Sequence, residues 1–202
     1  QCIRTLRRVP LLGRCMQRED YVGIYDDVLS EDQCKDLIEY FHNNPTCDGY
    51  VWSGGEAKIL PELKKSTELD RCAFSNHKFI TDIISPVIVS STNDYVKKYD
   101  ILSTYSEWSV DDDFTFKKFE GEDEGFKTWH TEHNPGLPSS RILVYNFYLN
   151  NAQSGTEFKY YPTVDAKRGR LVIWPASWTH FHRSEPNRGL KYIISGWYSF
   201  KT

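Results

Sequence analysis

The sequence predicts an α+β fold in which N-terminal helices flank a jelly-roll core. Before residue 113, apolar side chains recur mainly at helical spacing. From residue 113 onward they alternate with polar ones, and turn residues separate the alternating segments. Helices followed by many short strands are typical of a jelly roll with helices packed against it.

Length and charge restrict the class of protein. A chain of 202 residues is long enough for one domain with a full core, and we expect that domain to span residues 21–202. Residues 1–20 are expected to be an N-terminal extension, disordered or left over from expression, and not a secretory signal. The formal charge of −3 and the acidic run 120–124 give no reason to expect nucleic-acid binding.

Neither a membrane span nor a disulfide framework is expected. No apolar run approaches the length that crosses a bilayer. The five cysteines are odd in number and show no Cys-x-x-Cys spacing. We therefore expect them to be reduced, in a cytoplasmic setting.

Two helices are predicted in the first half of the chain. Ser30 and Gln33 form a capping-box pattern at the start of the first helix, which should end before Pro45. A second apolar stripe at helical spacing runs over 79–95, and Pro86 should kink or restart that helix. The first helix should pack its apolar face on a sheet.

The segment 46–75 has no clear period. It contains glycine, proline and lysine pairs, and its length is unusual for a connection within a compact domain. Two interpretations stay open, a functional loop or substrate lid and a disordered surface excursion.

The second half of the chain is predicted to be a series of strands. The alternating segments begin at 114–118 and continue at 126–132, 141–150, 155–160, 169–174, 180–183 and 190–200. Such a series can close into a barrel whose mouth is wide enough for a small ligand.

A metal site is indicated by histidine and carboxylate residues in this half. His130 and Glu132 are two residues apart, so on a strand they share one face. With His182 they make the two-histidine, one-carboxylate set of non-haem Fe(II) oxygenases. His180 competes with His182 for the third position, since both lie on the same predicted strand face. The rival interpretation is that His130 and Glu132 are ordinary surface residues.

These residues resemble the 2-oxoglutarate- and Fe(II)-dependent dioxygenases, most closely the prolyl-hydroxylase-like branch, and are similar to small phage-encoded members. The resemblance covers roughly residue 114 to the C-terminus. It implies a double-stranded β-helix and assigns the metal to His130, Glu132 and His182. The spacing from His182 to Pro186 and Lys191 matches the family pattern and favours His182 over His180.

The resemblance also implies a binding site for the co-substrate. Lys191, nine residues after His182, would bind the distal carboxylate of 2-oxoglutarate, and Tyr148 would hydrogen-bond the same group. The alternative is that Lys191 is an ordinary strand residue whose charge is exposed to solvent. Two departures stand out: Glu132 replaces the commoner aspartate, and Ser154 replaces the first glycine of a family turn.

The expected function is hydroxylation of a peptidyl (prolyl) substrate, with release of succinate and CO2. Fe(II), 2-oxoglutarate and O2 take part, with ascorbate as an auxiliary reductant. The alternatives are the same chemistry on a nucleobase or a free amino acid, and a non-catalytic jelly roll holding Zn²⁺. A phage-encoded enzyme would act in the host cytoplasm. The partner is therefore a peptide or small-molecule substrate, and no pattern in the sequence indicates an oligomeric state.

Two further residues are candidate substrate contacts. Arg141 opens the predicted co-substrate strand, where it would either clamp the substrate or solvate the strand end. Trp178 lies in a predicted turn beside the His182 strand, while the other tryptophans of this half are expected to fill the barrel.

Overall fold

The computed structural model describes residues 20–53, 56–133 and 140–201. The expected N-terminal extension, up to residue 19, lies outside the described residues. The described elements are α1 (Glu31–His42), α2 (Lys78–Lys98), and the strands β1 (Gly23–Tyr25), β2 (Thr46–Asp48), β3 (Val51–Ser53), β4 (Glu56–Lys58), β5 (Lys64–Lys65), β6 (Thr67–Leu69), β7 (Trp108–Glu120), β8 (Gly125–Phe126), β9 (Arg141–Tyr148), β10 (Thr156–Phe158), β11 (Arg170–Pro175), β12 (His182–Ser184) and β13 (Leu190–Phe200). Two 3-10 helices cover Asp100–Thr104 and Trp178–His180.

The first helix begins as predicted. The Gln33 backbone N–H donates to Ser30 Oγ at 3.1 Å, and the Ser30 N–H donates to Gln33 Oε1 at 2.9 Å, so the capping box is complete. The predicted apolar face is buried at Cys34, Leu37 and Phe41. The capping-box prediction is therefore confirmed.

The second helix runs unbroken from Lys78 to Lys98, so of the two effects predicted for Pro86, a kink or a restart, the restart does not occur. Proline leaves the carbonyl four residues earlier, that of Asp82, without its helical donor. Pro86 and Asp82 are both on the exposed side of the helix. Water can therefore solvate that carbonyl, and the buried side, at Ile80, Ile84 and Ile88, holds the helix against the sheet.

The core is a seven-stranded sheet in the order β1-β11-β9-β13-β7-β6-β2, with antiparallel pairs throughout. One face packs on the two helices, and alternate residues of each strand point to the other face. On β9, for example, Tyr145 and Phe147 join the helix-side core, whereas Val144 and Tyr148 join a second apolar cluster. The short sheet β10-β12 contributes to that second cluster. This arrangement confirms the predicted jelly roll with flanking helices.

The segment 46–75 is not a disordered surface excursion where it is described. It forms β2 to β6, of which β6 pairs with β7 and β5 pairs with β8. Strands of two or three residues are too short to show an alternating pattern, which explains why the sequence did not predict them. The segment lies beside the cavity described below.

Two predicted strands are shorter than expected. In the segment 126–132, only Phe126, the last residue of β8, is in a strand, and His130 forms a single bridge with His182. Glu132 lies in a bend. His180 belongs to a 3-10 helix, and β12 begins only at His182. The prediction that His180 and His182 share a strand face is therefore wrong.

Neither described α-helix combines the length and apolarity needed to cross a membrane.

Candidate metal centre

The structure brings together the three side chains that the sequence singled out. His130, Glu132 and His182 each offer one ligand atom, and these atoms lie within 4.8 Å of one another. Glu132 Oε1 is 3.4 Å from His130 Nε2 and 3.6 Å from His182 Nε2. The two histidines face each other because their backbones form a reciprocal pair of 3.0 Å hydrogen bonds.

Both imidazoles are oriented by backbone carbonyls. His130 Nδ1 lies 2.9 Å from the Thr128 carbonyl oxygen, and His182 Nδ1 lies 2.9 Å from the His180 carbonyl oxygen. A carbonyl only accepts, so each Nδ1 carries the proton and each Nε2 presents its lone pair. Such bonds fix the tautomer and the ring orientation of metal-binding histidines. Phe126 stacks on the His130 ring at a centroid distance of 3.7 Å and limits its rotation.

The Glu132 carboxylate is held through its other oxygen. Trp197 Nε1 donates to Glu132 Oε2 at 2.9 Å, and Arg141 Nη1 lies 3.3 Å from the same oxygen. The Arg141 guanidinium also stacks over the Trp197 ring, 3.5 Å from its centroid. Oε1 therefore remains directed at the two histidines.

The protonation states suit metal binding. Burial and, after it, the charge of His182 lower the pKa of His130, which keeps its ring neutral. Burial raises the pKa of the Glu132 carboxyl, but the neighbouring His130 and His182, when protonated, lower it by more and hold it well below its usual value. A neutral imidazole and an ionised carboxylate are the forms that bind metals.

His180 takes no part in this cluster. It is 2% exposed, and its Nε2 lies 2.8 Å from the Asp20 carbonyl oxygen. Its Nδ1 lies 2.9 Å from Thr179 Oγ1. Within the described residues, the group that includes Glu132 has three members. Two imidazole nitrogens and one carboxylate oxygen fit non-haem Fe(II), which uses this set and keeps coordination positions open for co-substrates.

A cavity of about 860 Å³ adjoins the cluster. It reaches from Lys64 and Glu68, on β5 and β6, to the three candidate ligands. Its inner wall is formed by alternate residues of β7, β9 and β13. The volume lies in the upper range of small-molecule sites and exceeds what a five-carbon dicarboxylate fills.

Lys191 and Tyr148 lie on the same strand faces as the cavity-lining Ile193 and Asn146, but neither residue itself lines the cavity. Lys191 is 2% exposed, and its Nζ donates to Ser154 Oγ at 2.7 Å. Tyr148 Oη lies 2.6 Å from Thr156 Oγ1, and Thr156 lines the cavity. Burial lowers the pKa of Lys191 to about 8 and raises that of Tyr148 to about 12. No described carboxylate forms an ion pair with Lys191, so its ammonium has only neutral partners and a ring contact with Phe119.

The two candidate substrate contacts differ in position. Arg141 lines the cavity beside Glu132. Trp178 is 70% exposed and does not line the cavity.

Sequence reasoning missed three groups of the cavity wall, Lys117, Asn146 and Ser195, and treated Trp197 as filler. The spacing along β13 could have identified Ser195 and Trp197. They lie an even number of residues from Lys191, so the three side chains share one face of the strand.

Comparisons with known proteins agree with this geometry. Residues 114–199 match the family model described as the 2OG-Fe(II) oxygenase superfamily. That match contains all three members of the cluster as well as Lys191 and Tyr148. No curated protein is significantly similar to the chain in sequence.

Solved structures share the fold at low sequence identity. The viral collagen prolyl hydroxylase vCPH of Paramecium bursaria Chlorella virus-1, in its 2OG complex, is 13% identical, with a TM-score of 0.60 over 94% of this chain and 100% of that chain. A Trichoplax adhaerens prolyl hydroxylase in complex with a hypoxia-inducible-factor peptide fragment is 12% identical, with a TM-score of 0.57 over 89% of this chain and 84% of that chain. The epimerase SnoN from nogalamycin biosynthesis, 12% identical, has a TM-score of 0.60 over 91% of this chain and 80% of that chain.

These likenesses establish the fold, and the family match establishes the chemistry with Fe(II), 2-oxoglutarate and O2. The same fold also carries an epimerase, so the fold by itself does not determine the substrate. The region 114–199 therefore matches the 2OG-Fe(II) oxygenase superfamily, and the fold is similar to that of prolyl hydroxylases.

Proposed function

We propose that this enzyme hydroxylates a peptidyl prolyl substrate, and that His130, Glu132 and His182 hold its Fe(II). Bound Fe(II) supplies, with 2-oxoglutarate and O2, the oxidation of an unactivated C–H bond, while 2-oxoglutarate is converted to succinate and CO2. The protein positions the reactants and excludes water. The described donor set supports this assignment, because three ligands on one side of a cavity leave room for co-substrates.

Lys191 and Tyr148 bind the distal carboxylate of 2-oxoglutarate in this proposal. Lys191 offers an ammonium with no carboxylate partner among the described residues, in a low-dielectric position where a charge-assisted hydrogen bond is strong. Tyr148 Oη offers a second donor near Thr156. A purely structural metal site has no need for a buried cation at the far end of its barrel.

Arg141 and Trp197 form the wall that receives the substrate ring. They stack on each other and both contact Glu132 Oε2, so a ring that packs against them lies beside the metal ligands. A flat aromatic surface suits the apolar face of a pyrrolidine ring. The Trichoplax adhaerens enzyme of the same fold was solved with a peptide, which supports a peptide as the substrate.

The observation that carries the proposal is the pairing, within one barrel, of the His130–Glu132–His182 cluster with the buried ammonium of Lys191. Anaerobic addition of Fe(II) and then 2-oxoglutarate tests it through the visible metal-to-ligand charge-transfer absorption. Succinate formation in air, with and without a proline-containing peptide, then tests the substrate. Absence of the absorption band contradicts the oxygenase site, whereas a band without peptide-stimulated turnover contradicts only the prolyl substrate.

A further inference from the structure

The segment 46–75 reaches the metal cluster through β5. This strand pairs with β8, so that Lys64 lies directly opposite Phe126. The Phe126 ring stacks on the His130 ring, with 3.7 Å between the centroids and 15° between the planes. β5 therefore supports the strand whose last side chain packs on the imidazole of a candidate metal ligand.

The backbone that follows β8 is also anchored on this segment. The Lys127 N–H donates to the Leu63 carbonyl at 2.8 Å, and the Thr128 hydroxyl donates to the same carbonyl at 3.4 Å. The Thr128 carbonyl in turn accepts the Nδ1 proton of His130 at 2.9 Å. Both the face of the His130 ring and its N–H are thus held by residues that contact Leu63 or Lys64.

A buried ion pair links β5 to the main sheet. Lys64 Nζ pairs with Glu68 Oε1, and the two side chains are 6% and 5% exposed. Glu68 lies on β6, which belongs to the seven-stranded sheet, whereas β5 belongs to the small sheet that it forms with β8. Only Ser66 separates the two strands in the chain, so the chain passes from one sheet to the other at this point. The ion pair determines how β5 is oriented relative to β6.

The hydrogen bonds around this ion pair leave it little freedom. Lys64 Nζ also donates to the Tyr50 carbonyl at 2.9 Å, and Ser66 Oγ donates to Glu68 Oε1 at 2.8 Å. A Cβ added at Gly49 would lie 2.0 Å from Ser66 Oγ, so the backbone before Tyr50 packs directly on the network. A buried ion pair adds little net stability over apolar residues of the same size, yet removing one partner is costly. Such a pair is therefore better suited to fixing one geometry than to stabilising the fold.

We propose that Lys64 and Glu68 are positioning residues for the metal ligand His130, acting through β5, β8 and Phe126. This inference rests on the proposed function only in that His130 binds metal, and it does not depend on the substrate. Because coupling between two sites is reciprocal, bound metal also stabilises the pairing of β5 with β8. Lys64 and Glu68 both line the cavity, so this link joins the outer wall of the cavity to the metal.

Amide hydrogen exchange on the wild-type protein tests the coupling with Zn²⁺ as the only addition. We expect the amides that bond β5 to β8, and the Lys127 N–H, to exchange about 10-fold more slowly when Zn²⁺ is bound. The hairpin β3–β4 lies in the same segment but forms a separate sheet, so its amides should exchange at the same rate with and without Zn²⁺. Unchanged exchange of the β5 and β8 amides in the Zn²⁺-bound protein contradicts the proposal.

Glu68→Gln tests the ion pair itself. A neutral amide cannot balance the buried ammonium of Lys64, which then moves toward solvent and carries β5 with it. We expect Zn²⁺ affinity, measured by calorimetry, to fall about 10- to 100-fold, as for other outer contacts of a metal ligand. Glu56→Gln is the matched control, because Glu56 pairs with Lys58 on the exposed strand β4 of the same segment. This control should bind Zn²⁺ as the wild type does.

A double variant separates positioning from stability. Lys64→Met/Glu68→Leu removes both charges, and apolar residues of similar size in place of a buried ion pair usually leave stability unchanged or raise it. We expect this variant to unfold at the wild-type temperature or higher and still to bind Zn²⁺ more weakly, because apolar contacts do not fix the direction of β5. Wild-type Zn²⁺ affinity in this variant and in Glu68→Gln shows that the pair is only structural and overturns the proposal.

Phe126 tests the route from the ion pair to the metal. Phe126→Leu removes the stacked ring and should weaken Zn²⁺ binding, whereas Phe126→Tyr keeps the ring and should restore it. If both residues act on His130 by one route, Glu68→Gln/Phe126→Leu loses less affinity than the two single losses combined. Losses that combine in full overturn the route through Phe126. Wild-type protein that binds no metal overturns the metal centre and this inference together, whereas normal metal binding in Glu68→Gln overturns the inference and leaves the metal centre intact.

Discussion

Lys191 donates a 2.7 Å hydrogen bond to Ser154, and Ser154 donates in turn to the Glu185 carbonyl at 3.0 Å. Ser154 stands where the resembled family has a glycine, so this chain gives the lysine a side-chain hydroxyl as its partner. Gly155 follows, where any Cβ would collide with the Val164 carbonyl. The serine is therefore held by a turn that leaves little freedom, and it orients the ammonium of Lys191, the proposed co-substrate anchor.

Lys191→Ala should weaken 2-oxoglutarate binding strongly. Removing one partner of a buried charge pair costs about 2–5 kcal/mol, which is roughly 30- to several-thousand-fold in affinity. Fe(II) affinity should not change, because no metal-binding side chain contacts Lys191. Calorimetry on the metal-loaded protein measures both quantities, with Lys118→Ala as the surface control. Wild-type affinity for 2-oxoglutarate in the variant would remove Lys191 from the co-substrate site.

The 2-oxoglutarate affinity should fall as the pH rises through about 8, the lowered pKa of Lys191. The ammonium is the form that pairs with a carboxylate, and burial, the main cause of the shift, favours its loss of a proton. Affinity is therefore highest below this pKa and decreases above it. The Lys191→Arg variant keeps its positive charge throughout this range. Its affinity for 2-oxoglutarate should be lower than that of the wild type, because the guanidinium is larger, but it should stay constant between pH 7 and 9. An equal decline in both proteins would assign the pH dependence to another group.

His182→Ala and His180→Ala should differ in metal binding. His182 Nε2 faces Glu132 Oε1 at 3.6 Å, whereas both ring nitrogens of His180 contact Thr179 and Asp20. Only the first variant should lose Fe(II) and succinate formation. The second should lose about 1–3 kcal/mol of stability from its unsatisfied partners, while the His180 carbonyl still orients His182. Metal titration and thermal unfolding distinguish the two outcomes, and loss of metal in His180→Ala alone would reverse the assignment.

Trp197→Phe should weaken metal binding without removing a ligand. The indole N–H holds Glu132 Oε2 at 2.9 Å and directs Oε1 toward the histidines. Loss of such an outer contact typically costs about 10- to 100-fold in metal affinity. Trp108→Phe is the control, since Trp108 Nε1 donates to the Leu102 carbonyl at 3.0 Å and does not line the cavity. Equal Fe(II) affinity in the two variants would show that Arg141 alone positions the carboxylate.

Strong local patterns were predicted well from the sequence. The capping box at Ser30 needs only residues three apart in the chain, and the buried face of α1 follows from helical spacing. The jelly roll follows from the change of period near residue 113. His130, Glu132 and His182 could be singled out because their types and spacing are unusual, and the structure brings them together.

Several local predictions were wrong because packing outweighed the local signal. A strand was predicted for Glu132, yet that residue lies in a bend and reaches the cluster through contacts with Trp197 and Arg141. Pro86 did not restart α2, because it lies on the exposed side of the helix, where water can replace the backbone hydrogen bond that proline removes. Within 46–75, β5 and β6 are stabilised by pairing with β8 and β7, which are distant in sequence.

The sequence by itself determined the helices and strands whose apolar residues recur at a strong period, because such a pattern depends on residues close together in the chain. It also determined the chemistry of the proposed metal ligands, because two histidines and a carboxylate at these positions are a rare combination. Only the tertiary structure decided which side chains share the cavity wall. Lys117, Asn146 and Ser195 come from β7, β9 and β13, and they meet because β13 pairs with both other strands in a particular register. A shift of β13 by one residue would turn Ser195 to the opposite face from Lys117 and Asn146, and no local pattern specifies that register.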